Sequence, residues 1–354
     1  MSGASGRILA VESSCDETAV AVVDEGRRIV ASIVASQVAL HAPTGGIVPE
    51  VAARAHLRWM IPVLEECRRR AGIEDWRELE AVAVTEGPGL AGSLLVGITM
   101  AKTLAWLERL PLVPVNHLEG HIYAAWLLDP DEPERPPPEF PLVALVVSGG
   151  HTFLVEMRDH LAYRLLGQTV DDAAGEAFDK VGRLLGLPYP GGPAIMAAAA
   201  GAHDRTRQLP RAWLGKSFDF SFSGLKTAAR RAVEAEVGGT ADTGATVPEP
   251  LVAELSHAFQ ESVVDVLVTK TALAAERTSA RSIVLGGGVA ANAVLRERLA
   301  ERAAALGVPL IVPRPGLCTD NAAMIGAAGF FRARAGERAD GSLDARPSLK
   351  LAIA

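Results

Sequence analysis

A chain of 354 residues, 49% hydrophobic and 22% charged, has apolar material for a large buried core, and its length suggests about two domains. A net charge of −7 excludes a generally basic nucleic-acid coat, so any contact with RNA needs a local patch or a partner protein. Three cysteines without CxxC spacing (Cys15, Cys67 and Cys318) indicate neither a disulfide framework nor a thiolate zinc site, and no apolar run reaches bilayer length, so cytoplasmic residence without membrane association is expected.

Residues 8–12, 19–24 and 28–37 predict three strands joined by polar turns at 13–17 and 25–26. A long helix follows over 49–71, then a buried strand at 81–85, a Gly-rich turn opening a helix that ends near Trp106, and a short strand at 112–115. A further helix carries His117-Leu-Glu-Gly-His121. The Pro-rich acidic stretch 129–141 (DPDEPERPPPEFP) reads as a linker between 1–128 and 142–335, with 336–354 as a tail. After it the order restarts: 142–148 and 152–157 form a hairpin around Gly149-Gly150, and 281–288 repeats the strand, glycine, helix order of 80–89. This predicts an α/β protein of two similar lobes around a central cleft, with a polar insertion near 201–250 that includes a mobile loop at 238–247.

His117 and His121 are four residues apart, so both imidazoles point from one helix face and are placed to grip one metal ion. The best third ligand is Asp320, just past a Pro/Gly turn at the start of a helix, where the competing reading is a helix cap. Three glycine turns, Ser148-Gly149-Gly150, Gly286-Gly287-Gly288 and Tyr189-Pro-Gly-Gly-Pro193, each precede or adjoin a helix or hairpin where backbone N–H groups can approach a phosphate. No Walker A pattern is present, which argues against an ordinary P-loop nucleotidase. His41 and His56 are read as hydrogen-bonded structural residues, and the clusters Arg68 to Arg70 and Lys226, Arg230, Arg231 as solvated helix faces. The spacing of His117 and His121 is that of zinc proteases, but Glu119 lies about 200° around the helix from the first histidine, away from the metal face.

The chain resembles the tRNA N6-adenosine threonylcarbamoyltransferases, the TsaD family, of the actin/Hsp70/sugar-kinase fold superfamily. The resemblance is carried, in order, by Glu12-Ser-Ser-Cys-Asp-Glu-Thr18, the stretch from His41 through His56, Glu86-Gly-Pro-Gly-Leu90, Asn116-His-Leu-Glu-Gly-His121, Val147-Ser-Gly-Gly-His151, Asp171-Asp-Ala-Ala-Gly-Glu-Ala-Phe-Asp-Lys180, Tyr189-Pro-Gly-Gly-Pro193, Phe220-Ser-Phe-Ser-Gly-Leu-Lys226, Gly286-Gly-Gly-Val-Ala-Ala-Asn292 and Cys318-Thr-Asp-Asn321. It implies transfer of a threonylcarbamoyl group from threonylcarbamoyl-AMP to N6 of adenosine 37 in tRNAs reading codons that start with A, forming t6A and releasing AMP. It also implies that His117, His121 and Asp320 hold one divalent metal, Fe(2+) preferred and Zn(2+) possible, and that Val146, Val147, Ser148, Gly149, Gly150, Asp179, Gly192 and Asn292 line the adenylate pocket. An inactive TsaB-type paralogue and a small TsaE-type ATPase are the implied partners. Asp16 and Glu17, in the first turn, are candidates for acid/base or positioning roles, against a solvated hairpin turn as the alternative. Three other readings stay open: an ATPase or kinase of the same superfamily, a scaffold paralogue without activity, and a metal-dependent protease.

Overall fold

The computed structural model describes residues 6–237 and 247–351. The loop expected at 238–247 lies outside them except for its last residue.

The chain opens with three apolar strands, β1 (Arg7–Glu12), β2 (Glu17–Asp24) and β3 (Arg28–Ser36). After the short α1 (Val38–His41) and the long α2 (Pro49–Ala71) come β4 (Ala81–Gly87), α3 (Ala91–Glu108), β5 (Leu112–Asn116) and α4 (His117–Tyr123). The sheet order is β3-β2-β1-β4-β5, with β1, β2 and β3 antiparallel and β1, β4 and β5 parallel. Side chains alternate along β1: Leu9 and Val11 enter a core with Met60, Leu64, Leu94 and Ile98 of α2 and α3, which leaves Ile8, Ala10 and Glu12 on the opposite face.

After the 129–141 stretch come β6 (Leu142–Val147), β7 (Thr152–Asp159) and β8 (Ala162–Gln168), then helices α5 (Ala174–Leu184), α6 (Gly191–Ala200), α7 (Ser223–Val237) and α8 (Glu249–Thr278). They are followed by β9 (Ser282–Gly286), α9 (Ala293–Leu306), β10 (Leu310–Ile311), the one-turn α10 (Pro315–Cys318) and α11 (Ala322–Arg334). The second sheet, read from β8, runs β8-β7-β6-β9-β10. Its central strand β6 pairs antiparallel with β7 and parallel with β9, as β1 does with β2 and β4. The two sheets therefore share one topology, and the chain is α/β throughout.

Two features differ from the sequence reading. The 201–250 stretch, expected to break the α/β pattern as a polar insertion, holds a regular helix, α7. The last helix, expected to close the second lobe, belongs with the first sheet: residues 313–354 join 1–138 and 160–162 in one compact unit, and 139–159 with 163–312 form the other. The reason is packing. α11 is a run of small and apolar residues, and its Gly326 and Gly329 lie so close to the sheet that added Cβ atoms would sit 2.7 Å from Val23 and 2.5 Å from Ala83. The following tail is tied to the same unit by bonds such as Ala339 N–H to Leu112 O and Arg346 N–H to Glu86 O, both 2.8 Å. None of the described helices is long and apolar enough to cross a membrane.

Candidate metal centre and glycine-lined loops

α4 begins immediately after β5, and Asn116 makes the join: its side chain caps the helix by accepting from Leu118 N–H at 2.9 Å and donates to Lys350 O at 2.9 Å. His117 and His121 then project from one face, with ring centroids 4.8 Å apart. Asp320 reaches the same spot from the link between α10 and α11. Its Oδ1 lies 3.5 Å from His117 Nε2 and 3.3 Å from His121 Nε2, and ligand atoms of all three residues fall within 4.8 Å of one another. The cap role weighed for Asp320 is taken by Asn321, which accepts from Met324 N–H at 3.0 Å and leaves the Asp320 carboxylate facing the histidines.

His121 is fully buried, yet neither of its ring nitrogens makes a hydrogen bond. Buried polar atoms in that condition call for an explanation, and a metal ion supplies one that fits the donor set. His117 is differently placed. Its Nδ1 faces Glu12 Oε2 and Ser14 Oγ, both at 3.2 Å. Burial pulls His117 down, but the charges of Asp320 and Glu12 outweigh it and raise the imidazole to about 9. The surroundings favour a cation at this point.

The first turn also reaches this centre, which overturns its reading as a solvated hairpin turn: Ser13, Ser14 and Asp16 are buried. Ser14 O accepts from Leu90 N–H at 2.8 Å, and Ser13 Oγ donates to Ser93 O at 2.8 Å. A Cβ at Gly97 would sit 2.4 Å from Ser13 Oγ, so glycine is required there for the turn to seat on α3. Glu17 accepts from Ser36 Oγ at 3.0 Å, and burial, followed by the charges of Asp320 and Asp16, pushes its carboxyl up to about 9. His56 braces the turn, with Nδ1 2.7 Å from Thr18 Oγ1 and Nε2 3.0 Å from Cys15 O. His41 likewise is hydrogen-bonded, to Gln37 and to Val48 N–H.

Glu119 is turned away from the histidines and committed elsewhere. Fully buried, it receives a bidentate pair from Arg332 of α11, Nε to Oε2 at 2.6 Å and Nη2 to Oε1 at 2.7 Å. It is not placed as the base of a metalloprotease.

Two of the three glycine turns meet in the second unit, at the C-terminal ends of β6 and β9, while the third, at 189–193, packs against α5. Val146 and Val147 are buried residues of β6, with Val146 paired to Gly286 of β9. Ser148, Gly149 and Gly150 follow, closed by Ser148 N–H donating to His151 O at 2.8 Å. Gly287 (φ +85°) lies against this strand end, where a Cβ would be 2.4 Å from Val147 O. By contrast Gly149, Gly150, Gly192 and Gly288 have nothing within 4 Å of the position a Cβ would take and no positive φ, so neither packing nor backbone strain explains their lack of a side chain. Asp179 accepts from Gly191 N–H at 2.7 Å, and burial raises its carboxyl. Asn292 is the N-cap of α9, accepting from Leu295 N–H at 3.0 Å and donating to Gln260 Oε1 at 2.9 Å.

Sequence reasoning gave no role to Glu12. The available signal was an ionisable residue ending an otherwise apolar strand, and the structure buries it completely beside His117.

The repeated mixed sheet is that of the actin/Hsp70/sugar-kinase class. Solved HypF structures share the fold: the full-length phosphate- and nucleotide-bound form aligns with a TM-score of 0.58 at 15% identity over 93% of this chain and 46% of that one. T. kodakarensis HypF gives 0.58 at 12% identity over 94% and 48%. Within that class, the family described as tRNA N6-adenosine threonylcarbamoyltransferase matches residues 28–327. Relatives with that description include one from Thermomicrobium roseum, 54% identical over 97% of this chain and 96% of its own length, and one from Symbiobacterium thermophilum, 51% identical over 98% of each. The chain belongs to the tRNA N6-adenosine threonylcarbamoyltransferase family, and it is a transferase.

Proposed function

We propose that this chain transfers the threonylcarbamoyl group of threonylcarbamoyl-AMP to N6 of adenosine 37 in tRNAs reading codons that start with A, forming t6A and releasing AMP. The observation that carries the mechanism is the buried group of His117, His121 and Asp320, in which His121 has two ring nitrogens without a hydrogen bond. These three residues would hold one divalent ion, Fe(2+) by preference with Zn(2+) as the substitute, since two imidazoles and one carboxylate suit both. A bound ion there supplies Lewis-acid polarisation of a carbonyl or phosphate oxygen.

The adenylate binds the second unit's loops. Backbone N–H groups at Gly149 and Gly150 meet the phosphate beside Val146, Val147 and Ser148, and the open Cβ positions at Gly149, Gly150 and Gly192 support a ligand close to the backbone. Asp179 accepts a ribose hydroxyl with the oxygen not used by Gly191, and Asn292 contributes by fixing the start of α9 beside the phosphate. Asp16 and Glu17 orient the acceptor amine; Glu17, held protonated near neutral pH, is suited to give a proton rather than take one.

An inactive TsaB-type paralogue and a TsaE-type ATPase assist turnover in the cytoplasm. Exposed Leu57 and Ile61, one turn apart on α2, with exposed Leu95 on α3, offer apolar surface for a protein partner. The test is mass spectrometry of nucleosides from unmodified tRNA incubated with the protein, these partners and threonylcarbamoyl-AMP. Appearance of t6A that depends on His117 is expected; its absence in the presence of bound metal and active partners refutes the reading.

A further inference from the structure

We infer that Glu12 is a positioning residue of the metal centre, fixing which nitrogen of His117 is free to bind. The inference rests on the three-ligand reading of His117, His121 and Asp320.

Glu12 ends β1 with no exposure to solvent. Its carboxylate accepts from Ser14 N–H at 2.6 Å through Oε1 and from Thr85 Oγ1 at 2.5 Å through Oε2, and Oε2 also faces His117 Nδ1 at 3.2 Å. An ionised carboxylate only accepts, so the proton between Glu12 and His117 sits on Nδ1. In the neutral form of the ring, the form that binds a metal, the lone pair is then on Nε2, the nitrogen that faces Asp320. This is the arrangement in which a carboxylate holds a metal-binding imidazole in the correct tautomer and ring orientation.

Charge leads to the same place. Among the described residues no Lys or Arg pairs with Glu12; its ion-pair partner is His117 alone. The buried carboxylate is therefore directed at the His117 ring and at no other charged side chain described. The donors from Ser14 and Thr85 lock the carboxylate from β1 and β4, so the imidazole on α4 is aimed by the sheet rather than by its own short helix.

The experiment compares wild-type protein and Glu12→Gln, both stripped and reloaded with Co(2+) or Zn(2+), by competition with a chelator, by the visible Co(2+) spectrum, and by urea unfolding of the metal-free forms. Glu12→Gln is expected to bind metal about 10–100-fold more weakly. Its Co(2+) spectrum is expected to shift, and its metal-free form to unfold at a urea midpoint close to that of wild type, since Gln keeps an acceptor oxygen for the donors from Ser14 and Thr85 and His117 can release a proton when the carboxylate is gone. A residue of merely structural importance would do the reverse, destabilising the metal-free protein and leaving affinity unchanged. Equal affinity in the two proteins overturns the role of Glu12, whereas wild-type protein that takes up no metal overturns the three-ligand reading and this inference with it. If Glu12→Gln does not fold, Thr85→Val, which removes one donor to the same carboxylate, carries the test: weaker metal binding supports the inference, and unchanged binding overturns it.

Discussion

Glu119→Ala should unfold the first unit far more readily than the loss of one exposed charge would suggest. Glu119 is fully buried and its partner Arg332 is 12% exposed, joined by two charge-assisted hydrogen bonds at 2.6 and 2.7 Å. Removing Glu119 leaves the guanidinium with its more exposed pair to Glu337, and removing Arg332 leaves a fully buried carboxylate unpaired, at a cost of up to about 3–5 kcal/mol. That is a large fraction of the roughly 5–15 kcal/mol by which a domain is stable. Replacing both residues, Glu119→Leu with Arg332→Leu, leaves no uncompensated charge and should cost much less than the two single changes together. The assay is urea unfolding followed by circular dichroism in the presence of EDTA, so that metal bound through α4 does not obscure the difference. Single variants that each lose less than about 1 kcal/mol, or a double variant that loses the sum, would refute the argument that this pair clamps α4 to α11.

Three further outcomes are expected. His117→Ala and Asp320→Ala should each lose bound metal and transfer activity while retaining native circular dichroism, and elemental analysis finding undiminished metal in both would remove these ligands from the mechanism. Burial raises Asp179, so the folded state favours its protonated form; the resulting cost is absent below the ordinary carboxylate pKa and grows as pH rises through it. Asp179→Asn, which keeps an oxygen for Gly191 N–H, should therefore gain stability over wild type at pH 8 relative to pH 4 and yet bind AMP more weakly, and a urea midpoint difference that does not grow with pH contradicts this. Burial pushes the Cys67 thiol up to about 12, so iodoacetamide at pH 8 should label it only in urea, as peptide mass spectrometry would detect; rapid labelling of native protein would show that α2 opens readily.

The sequence was most legible where one short segment contains the whole signal. Strands β1 to β5 follow from apolar runs and turn residues, and the pair His117 and His121 needs only helical spacing. Asp320 could be named but not separated from a helix cap, because Asp and Asn stand side by side at 320 and 321 and only the backbone decides which of them caps α11. Partners distant in sequence were hidden. Glu12 lies 105 residues from His117, and alternation along β1 reveals its face without revealing which helix covers that face. The destination of α11 was hidden for a similar reason: a helix buried nearly all round carries no stripe to say which sheet it covers.

The shared topology makes the difference between the two strand ends informative. β1 and β6 are the middle strands of equivalent sheets, and their last residues are Glu12 and Val147. Beyond Glu12 the chain buries Asp16 and half-buries Glu17, whose carboxyl is held protonated by burial and by the charges of Asp320 and Asp16, so anionic groups crowd the end of β1. An anion would be repelled there, and a divalent ion is the natural counter-charge. Beyond Val147 come Ser148, Gly149 and Gly150, of which the glycines offer backbone N–H groups and open Cβ positions, with no carboxylate in the loop. The same topological point therefore suits a cation in one unit and a phosphate in the other. On the proposed reading that difference is the chemistry: one sheet end presents the activating ion and the other holds the adenylate that leaves.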